Sequence, residues 1–312
     1  MRPPRRVEIL ARAKLNLGLA IGPRRPDGFH ELATIFQSVS LADTLVAERR
    51  RRGCGLEVVH EQVADRGALA PRTLAAVPPG PGNLALRAAR LALDRAGIRG
   101  GVQLRLTKRI PAQAGLGGGS ADAAAALAAV FALHGLRVPA ADRIRLGAEL
   151  GSDVPFALFG GTALGLGRGE LLTRLRPGRG FRALIAVPAW RARTASAFRE
   201  MDRSRYALTR WKAKLRFAKA AGRMGLWPLH ALRLGNSFEE ALGTGMPRFI
   251  GLRARLREAG VLEPHMTGSG SAVFGLLGPR ASARRVLGRF AGSEALFVVR
   301  PAGRGLRVRK LS

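Results

Sequence analysis

Cysteine is almost missing: Cys54 is the only one in 312 residues. That excludes an internal disulfide framework and a cysteine-held metal cluster, and it fits a reducing compartment such as the cytoplasm. Aromatic residues make up only 5 % of the chain, and none stands in a basic aromatic motif of the kind that stacks nucleic-acid bases. Long apolar runs are absent too. The longest, Ala123 to Leu133, is too short to span a bilayer. Arg12 and Lys14 interrupt any apolar core that a leader over Met1 to Leu19 would need. A soluble protein with no membrane partner is expected. Lysine is also scarce, at positions 14, 108, 212, 214, 219 and 310, so 47 of the 53 basic residues are arginine. The net charge of +32 is dispersed, with one local knot at Arg49-Arg50-Arg51-Arg52. An arginine excess beside abundant alanine, glycine and proline reads as codon drift in a GC-rich genome, not as a dedicated nucleic-acid surface. An anionic substrate gains from the field in either case.

What the chain does have is glycine, and it is concentrated in Pro111-Ala112-Gln113-Ala114-Gly115-Leu116-Gly117-Gly118-Gly119-Ser120-Ala121-Asp122. The alternation Val102-Gln103-Leu104-Arg105-Leu106 before it reads as a strand, and the alanine-rich run after it reads as a helix. Ser120 is the expected N-cap, and Asp122 suits the positive first turn. Glycines let backbone N–H groups approach an anion closely, and the helix N-terminus adds partial positive charge. The physical reading is a cradle for nucleotide phosphates; the alternative is a flexible turn before a core helix. A P-loop would need Lys-Ser/Thr after the last glycine, and a dinucleotide fingerprint would need glycine where Ser120 stands.

Along the chain, Ala13 to Leu19 alternates, so Lys14, Asn16 and Gly18 share one strand face and Leu15, Leu17 and Leu19 the other. Such a polar face is either solvated or lines a site. Pro26-Asp27-Gly28 is a turn, Phe29-His30-Glu31 comes next, and residues 32–39 read as a strand. Asn83 has the form of an N-cap for a helix from Leu84. Asp153 sits between a helix ending at Gly151 and an apolar segment, either capping the next turn or acting as a catalytic carboxylate. Residues 162–175 form a hairpin pattern, and Pro177-Gly178-Arg179-Gly180 reads as a linker. Two domains, 1–177 and 178–312, are therefore expected, each mixing α and β. In the second half, Asn236-Ser237-Phe238-Glu239 has the capping-box form. His265-Met266-Thr267-Gly268-Ser269-Gly270-Ser271 is a second glycine loop, and a helix is expected over 281–290. One glycine loop per half implies a cleft between the halves that holds a phosphorylated ligand.

The pattern Pro-x-x-x-Gly-Leu-Gly-Gly-Gly-Ser resembles the phosphate loop of the GHMP small-molecule kinases. The blocks Ala13 to Leu17, Asp27-Gly28-Phe29-His30, Thr34 to Gln37, Gly82-Asn83-Leu84, Gly151 to Pro155, Asn236-Ser237-Phe238-Glu239 and Met266 to Phe274 are similar to one branch of that family. The resemblance implies an α+β, two-domain fold with a ribosomal-protein-like first domain and a ferredoxin-like second domain. It implies ATP-dependent phosphorylation of a hydroxyl on a cytidine-diphosphate-linked methylerythritol, a step of isoprenoid precursor synthesis, by a cytoplasmic monomer or homodimer. On this resemblance Asp153 is the base and Lys14 its partner, holding the acid ionised and stabilising developing charge. Asn16 helps hold the acceptor. The loop from Pro111 to Ala121 holds the ATP phosphates, Ser120 lies near magnesium, and Asn83 and Lys108 lie near the nucleoside. Gly268, Ser269, Gly270 and Ser271 close on the transferred phosphate. Phe29 and Phe198 sandwich the cytosine, His30 bonds its edge, and Thr194 lies near the substrate phosphates. Ser237 stands where the family carries Asp. Other readings are a homoserine or mevalonate-type kinase of the same family, a non-catalytic nucleotide sensor, and a nucleic-acid-binding protein; the Phe29-His30 pair argues against the first, and the Lys14 and Asp153 pair against the second.

Overall fold

The computed structural model describes residues 3–61, 77–176, 180–190, 194–203, 209–224, 228–242, 245–278, 286, 288 and 294–311. In chain order they form β1 (Arg6–Arg24), β2 (His30–Arg50), β3 (Cys54–His60), α1 (Leu84–Arg95), β4 (Gly101–Lys108), α2 (Gly118–Leu133), α3 (Ala140–Leu150), α4 (Val154–Phe159), β5 (Thr162–Leu166), β6 (Leu171–Arg174) and β7 (Ala183–Pro188). Then come α5 (Thr194–Arg203), α6 (Trp211–Met224), α7 (Leu229–Leu232), α8 (Ser237–Leu242), α9 (Pro247–Glu258), β8 (Val261–Met266), β9 (Val273–Leu277), β10 (Glu294–Val299) and β11 (Leu306–Leu311). The linker motif at 177–180 and the helix expected over 281–290 fall almost wholly outside the described residues.

The first sheet is built on two long strands. It has the order β11-β1-β2-β4-β3, and β2 also pairs with β5, which pairs with β6. β2 can serve two partners because it is 21 residues long: Thr34 to Gln37 face β5, and Thr44 to Arg50 face β4. The second sheet is β10-β7-β9-β8, antiparallel throughout. It lies wholly after residue 177, whereas β11 runs back to pair with β1. Against the first sheet packs α2, whose Ala123 to Leu127 are fully buried. A helix that is apolar all round belongs in an interior, and alanine lets its axis approach the strands.

Three local expectations need correction. α2 begins at Gly118 with Gly117 as its cap, in left-handed geometry (φ 71°), so Ser120 lies inside the first turn instead of capping it. With that start Asp122 falls past the first turn, and it is buried and bonded to Lys108 at 2.6 Å. A register shift between Asn16 and Gly18 breaks the alternation of β1. An extra residue in one strand reverses the facing of every residue beyond it. Leu19 therefore joins Lys14 and Asn16 on the cavity wall, while Gly18 packs so tightly that an added Cβ would lie 2.6 Å from the Ala231 oxygen.

Candidate active site

The loop between β4 and α2 is pinned from beneath. Asp43 Oδ1 accepts from the backbone N–H of Arg109 at 2.5 Å and of Ile110 at 2.8 Å. Its other oxygen accepts from the Lys108 ammonium, which also donates to Asp122, just past the first turn of α2. The cluster thus ties β2, the loop entry and the helix start together. Burial alone would lower the Lys108 ammonium; the charges of Asp122 and Asp43 outweigh it and hold it above the usual lysine value. Burial pushes the Asp122 carboxyl up, against the pull of Lys108.

Held in this way, the loop meets the second glycine loop directly. Thr267 Oγ1 donates to the Gly115 oxygen at 3.3 Å, and the Ala272 N–H donates to the Ala114 oxygen at 3.2 Å. Gly115 (φ 78°) has no room for a side chain, since a Cβ would fall 2.1 Å from the Thr267 oxygen. Asn236 braces the second loop by donating to the Met266 and Gly268 oxygens, both at 2.9 Å, while its Oδ1 accepts from Phe238 N–H at 3.0 Å and so caps α8. Glu239, the other half of the expected capping box, instead accepts from Met266 N–H at 2.5 Å. Ser237 accepts from Ile21 N–H at 3.2 Å and is fully buried, so its hydroxyl ties α8 to β1.

Lys14 crosses the front of the first glycine loop. Its N–H donates to the Leu116 oxygen at 3.0 Å, and a Cβ on Gly117 would lie 2.9 Å from its Cγ. The ammonium donates to Asn16 Oδ1 at 2.6 Å and lies 3.5 Å from Asp153 Oδ2. Asn16 is fixed in turn, donating to Thr34 Oγ1 at 2.8 Å. Asp153 stands at the N-cap position of α4 but makes no capping bond with its side chain. Its carboxylate is one-third exposed, at 33 %, and faces the cavity. The capping alternative is thereby set aside, and so is a solvated Lys14, which is 6 % exposed.

These groups line one cavity of about 930 Å³. Lys14, Asn16 and Asp153 lie together in its lining. Gln113, Gly115, Gly117 and Ser120 form one wall, and Gly268, Ser269 and Gly270 stand among the lining residues from the other loop. Phe29, His30 and Phe198 make the third part, with the His30 and Phe198 rings stacked at 5.3 Å.

Not every expected residue arrives there. Lys108 is 3 % exposed and engaged by two carboxylates, so it is not available to a nucleoside. Asn83 caps α1, accepting from Ala85 N–H at 2.9 Å and donating to the Pro78 oxygen at 3.0 Å. Pro111, Ala112, Ala114, Leu116, Gly118, Gly119 and Ala121 shape the loop without being cavity-lining residues. Thr194 is the first residue of α5, and its side chain lies outside the described residues.

Three residues that line the cavity or brace its loops had no role assigned from the sequence. Arg168, from the turn between β5 and β6, lines the cavity and sets its guanidinium 4.8 Å from the Phe29 ring centroid. Asn236 and Thr267 brace the second loop. Asn236 carried the capping pattern, and both it and Thr267 stood in blocks similar to the family, but neither signal assigned them to bracing the loop.

Models of the GHMP kinases N terminal domain and of the GHMP kinases C terminal domain match residues 83–161 and 217–293. The chain belongs to the GHMP kinases, and it is an enzyme. It is 39 % identical to the 4-diphosphocytidyl-2-C-methyl-D-erythritol kinase of Pelotomaculum thermopropionicum, over 94 % of this chain and 96 % of that one. It is 40 % identical to the enzyme of the same name from Moorella thermoacetica, over 89 % and 93 %. A crystal structure of 4-(cytidine 5'-diphospho)-2C-methyl-D-erythritol kinase superposes with a TM-score of 0.73 at 36 % identity, covering 95 % of this chain and 99 % of that one. Within the GHMP kinases these relatives set it in that kinase's branch. Among the described residues no helix is long and apolar enough to cross a membrane.

Proposed function

We propose that this kinase transfers the γ-phosphoryl group of ATP to the 2-hydroxyl of 4-diphosphocytidyl-2-C-methyl-D-erythritol, in the non-mevalonate route to isoprenoid precursors. The observation that carries the reading is the Lys14 and Asp153 pair, 3.5 Å apart, in a cavity shared with both glycine loops. Phosphoryl transfer asks little covalent chemistry of a protein; it needs positioning, charge neutralisation and a proton acceptor. Asp153, free of any capping bond, takes the proton of the acceptor hydroxyl. Lys14 faces both the acid and the loop, so its ammonium offsets negative charge as it develops on the transferred group. Asn16 orients Lys14 and the acceptor.

The backbone amides from Gln113 to Ser120 and the start of α2 suit the ATP phosphates, and Gly268 to Gly270 suit the group in flight. Magnesium, when bound, neutralises phosphate charge. The donor set fits an ion held mainly by phosphate oxygens: among the described residues no three His, Cys, Asp or Glu side chains cluster, and the Ser120 hydroxyl lines the cavity. Phe29 and Phe198 offer faces for a nucleobase and His30 a polar edge. The division into domains at about residue 177 belongs to the same reading, with β11 returned to the first domain.

The test is direct. Purified protein with ATP, magnesium and the cytidyl substrate should release ADP and yield a new phosphomonoester by phosphorus NMR, and homoserine and mevalonate should yield none. Turnover of homoserine or mevalonate in preference to the cytidyl compound would overturn the substrate assignment.

A further inference from the structure

A second cavity, of about 330 Å³, lies where β2 changes partner. Thr34 to Gln37 of β2 pair with β5, and Thr44 to Arg50 pair with β4. Between them, Ser40 N–H donates to the Arg300 oxygen and Ala302 N–H to the Ser38 oxygen, both at 2.8 Å. Leu41 and Ala42 line the gap that remains, and β10 lines it from the second sheet through Phe297, Val298 and Val299. None of the residues lining this cavity lines the one that holds Lys14 and Asp153. Its charged lining residues are Arg12 and Arg109, and among the described residues no carboxylate joins them. Arg109 is already engaged, with Glu61 and, at 2.7 Å, with Thr44 Oγ1. Arg12 has no such partner: its Nε is buried without a hydrogen bond, and no described carboxylate pairs with it. Arg307, opposite Leu10 in the register of β1 and β11, adds to the positive field. Burial, and then that charge, lower the Arg12 guanidinium from its usual value. A buried donor without an acceptor is costly, and more so when it is charged.

We propose that this cavity binds a small phosphate ester, its anionic head on Arg12 and its short apolar body against Leu10, Leu41 and Phe297. A phosphate brings the acceptor oxygens and negative charge that Arg12 lacks within the chain, and a guanidinium presents a fork of donors that matches them. Ser40 Oγ accepts from Arg300 N–H at 3.1 Å, which leaves its own hydrogen to donate to a phosphate oxygen. Most of the remaining lining is aliphatic or aromatic. A bare inorganic ion leaves that wall without contact, whereas the carbon chain of an ester covers it. The volume is at the low end for ligand pockets, which suits a phosphate with a few carbons and not a nucleotide. The site lies behind the first glycine loop, whose entry is fixed by the bonds from Arg109 and Ile110 N–H to Asp43. It is separate from the phosphoryl-transfer site and does not rest on the reading of that site.

The test is a calorimetric titration at constant ionic strength, with cytidine diphosphate and a non-hydrolysable ATP analogue present to fill the larger cavity. The probes are n-butyl phosphate, inorganic phosphate and 1-butanol. Butyl phosphate should bind once per chain, about tenfold or more tighter than inorganic phosphate, and butanol alone should give no signal. Arg12→Met should weaken that binding about tenfold or more, Arg12→Lys should recover part of it, and Lys14→Met should leave it unchanged. Without added anion, Arg12→Met should melt no lower than wild type, since it removes a buried donor that nothing satisfies. Butyl phosphate should raise the melting temperature of wild type and not of Arg12→Met. Binding that survives Arg12→Met unchanged, or is lost in Lys14→Met, places the anion elsewhere and overturns the proposal. A wild type that binds no probe overturns it too, and equal affinity for inorganic phosphate overturns the assignment of an ester.

Discussion

The Lys14 ammonium lies 3.5 Å from Asp153 Oδ2, although one residue comes from the middle of β1 and the other from the turn before α4. Lys14 is fixed on three sides, by Leu116 through its backbone, by Asn16 through its ammonium, and by Gly117, whose missing side chain gives it passage. The cation, the acid and the first glycine loop are therefore one unit.

Lys14→Met separates chemistry from stability. Removing the cation should lower kcat about a hundredfold or more, since electrostatic stabilisation of that size is usual for one preorganised group. The partner left behind, Asp153, is one-third exposed and keeps its hydration, so the penalty of breaking a fully buried pair does not arise. The thermal midpoint should therefore not fall, which a differential scan beside a steady-state assay would check.

Gly117→Ala should damage the site through geometry alone. The backbone is left-handed there, and the new Cβ would lie 2.9 Å from Lys14 Cγ. The conformational cost is about 1 kcal/mol. The displaced lysine should cost more in activity, about tenfold or beyond in kcat, because catalytic placement tolerates little error. Unfolding curves and initial rates measured on the same sample would separate the two effects.

Lys108→Met should act on the fold and reach activity only through it. It strands Asp43 and Asp122 without their cation, and breaking a buried pair costs about 3–5 kcal/mol. The native Lys108 value is raised, so its contribution is complete below the ordinary lysine value, about pH 10.4. It is lost as pH rises through the native value. Urea midpoints of wild type and variant should differ at pH 7 and to about pH 10, and converge only above that.

Phe29→Ala should weaken nucleoside binding and leave the chemistry in place. The Phe29 ring is 49 % exposed at the cavity, with Arg168 over it. Loss of one stacking face should raise KM for the cytidyl substrate about 2- to 10-fold. Steady-state kinetics with ATP saturating would show it, with kcat little changed.

Much of this was legible in the chain itself. The glycine turn between β4 and α2 could be read because its signal is local: a strand alternation, a glycine run and an alanine helix in immediate succession. Lys14 and Asp153 were each ambiguous alone, and a family resemblance was needed to join residues that only the tertiary fold brings together. Lys108 was misread for the same reason, since its partner Asp43 lies in another strand and nothing nearby announces a buried cation. The helix start was misplaced because Ser120 has the better side chain for a cap, whereas Gly117 supplies the left-handed turn that the close approach of Lys14 demands. β11 escaped notice because Leu306 to Leu311 is short and carries three basic residues, and Lys310 breaks the alternation after four residues. The bulge in β1 leaves no mark in composition, yet it decides which leucine faces the cavity.

The central claim is that Asp153 takes the proton of the acceptor hydroxyl. Single-turnover phosphoryl transfer by Asp153→Asn, with ATP, magnesium and the cytidyl substrate all saturating, tests it most directly. The account predicts a rate lower by about a hundredfold or more with substrate binding changed only a few-fold; a variant rate within about threefold of wild type would contradict it.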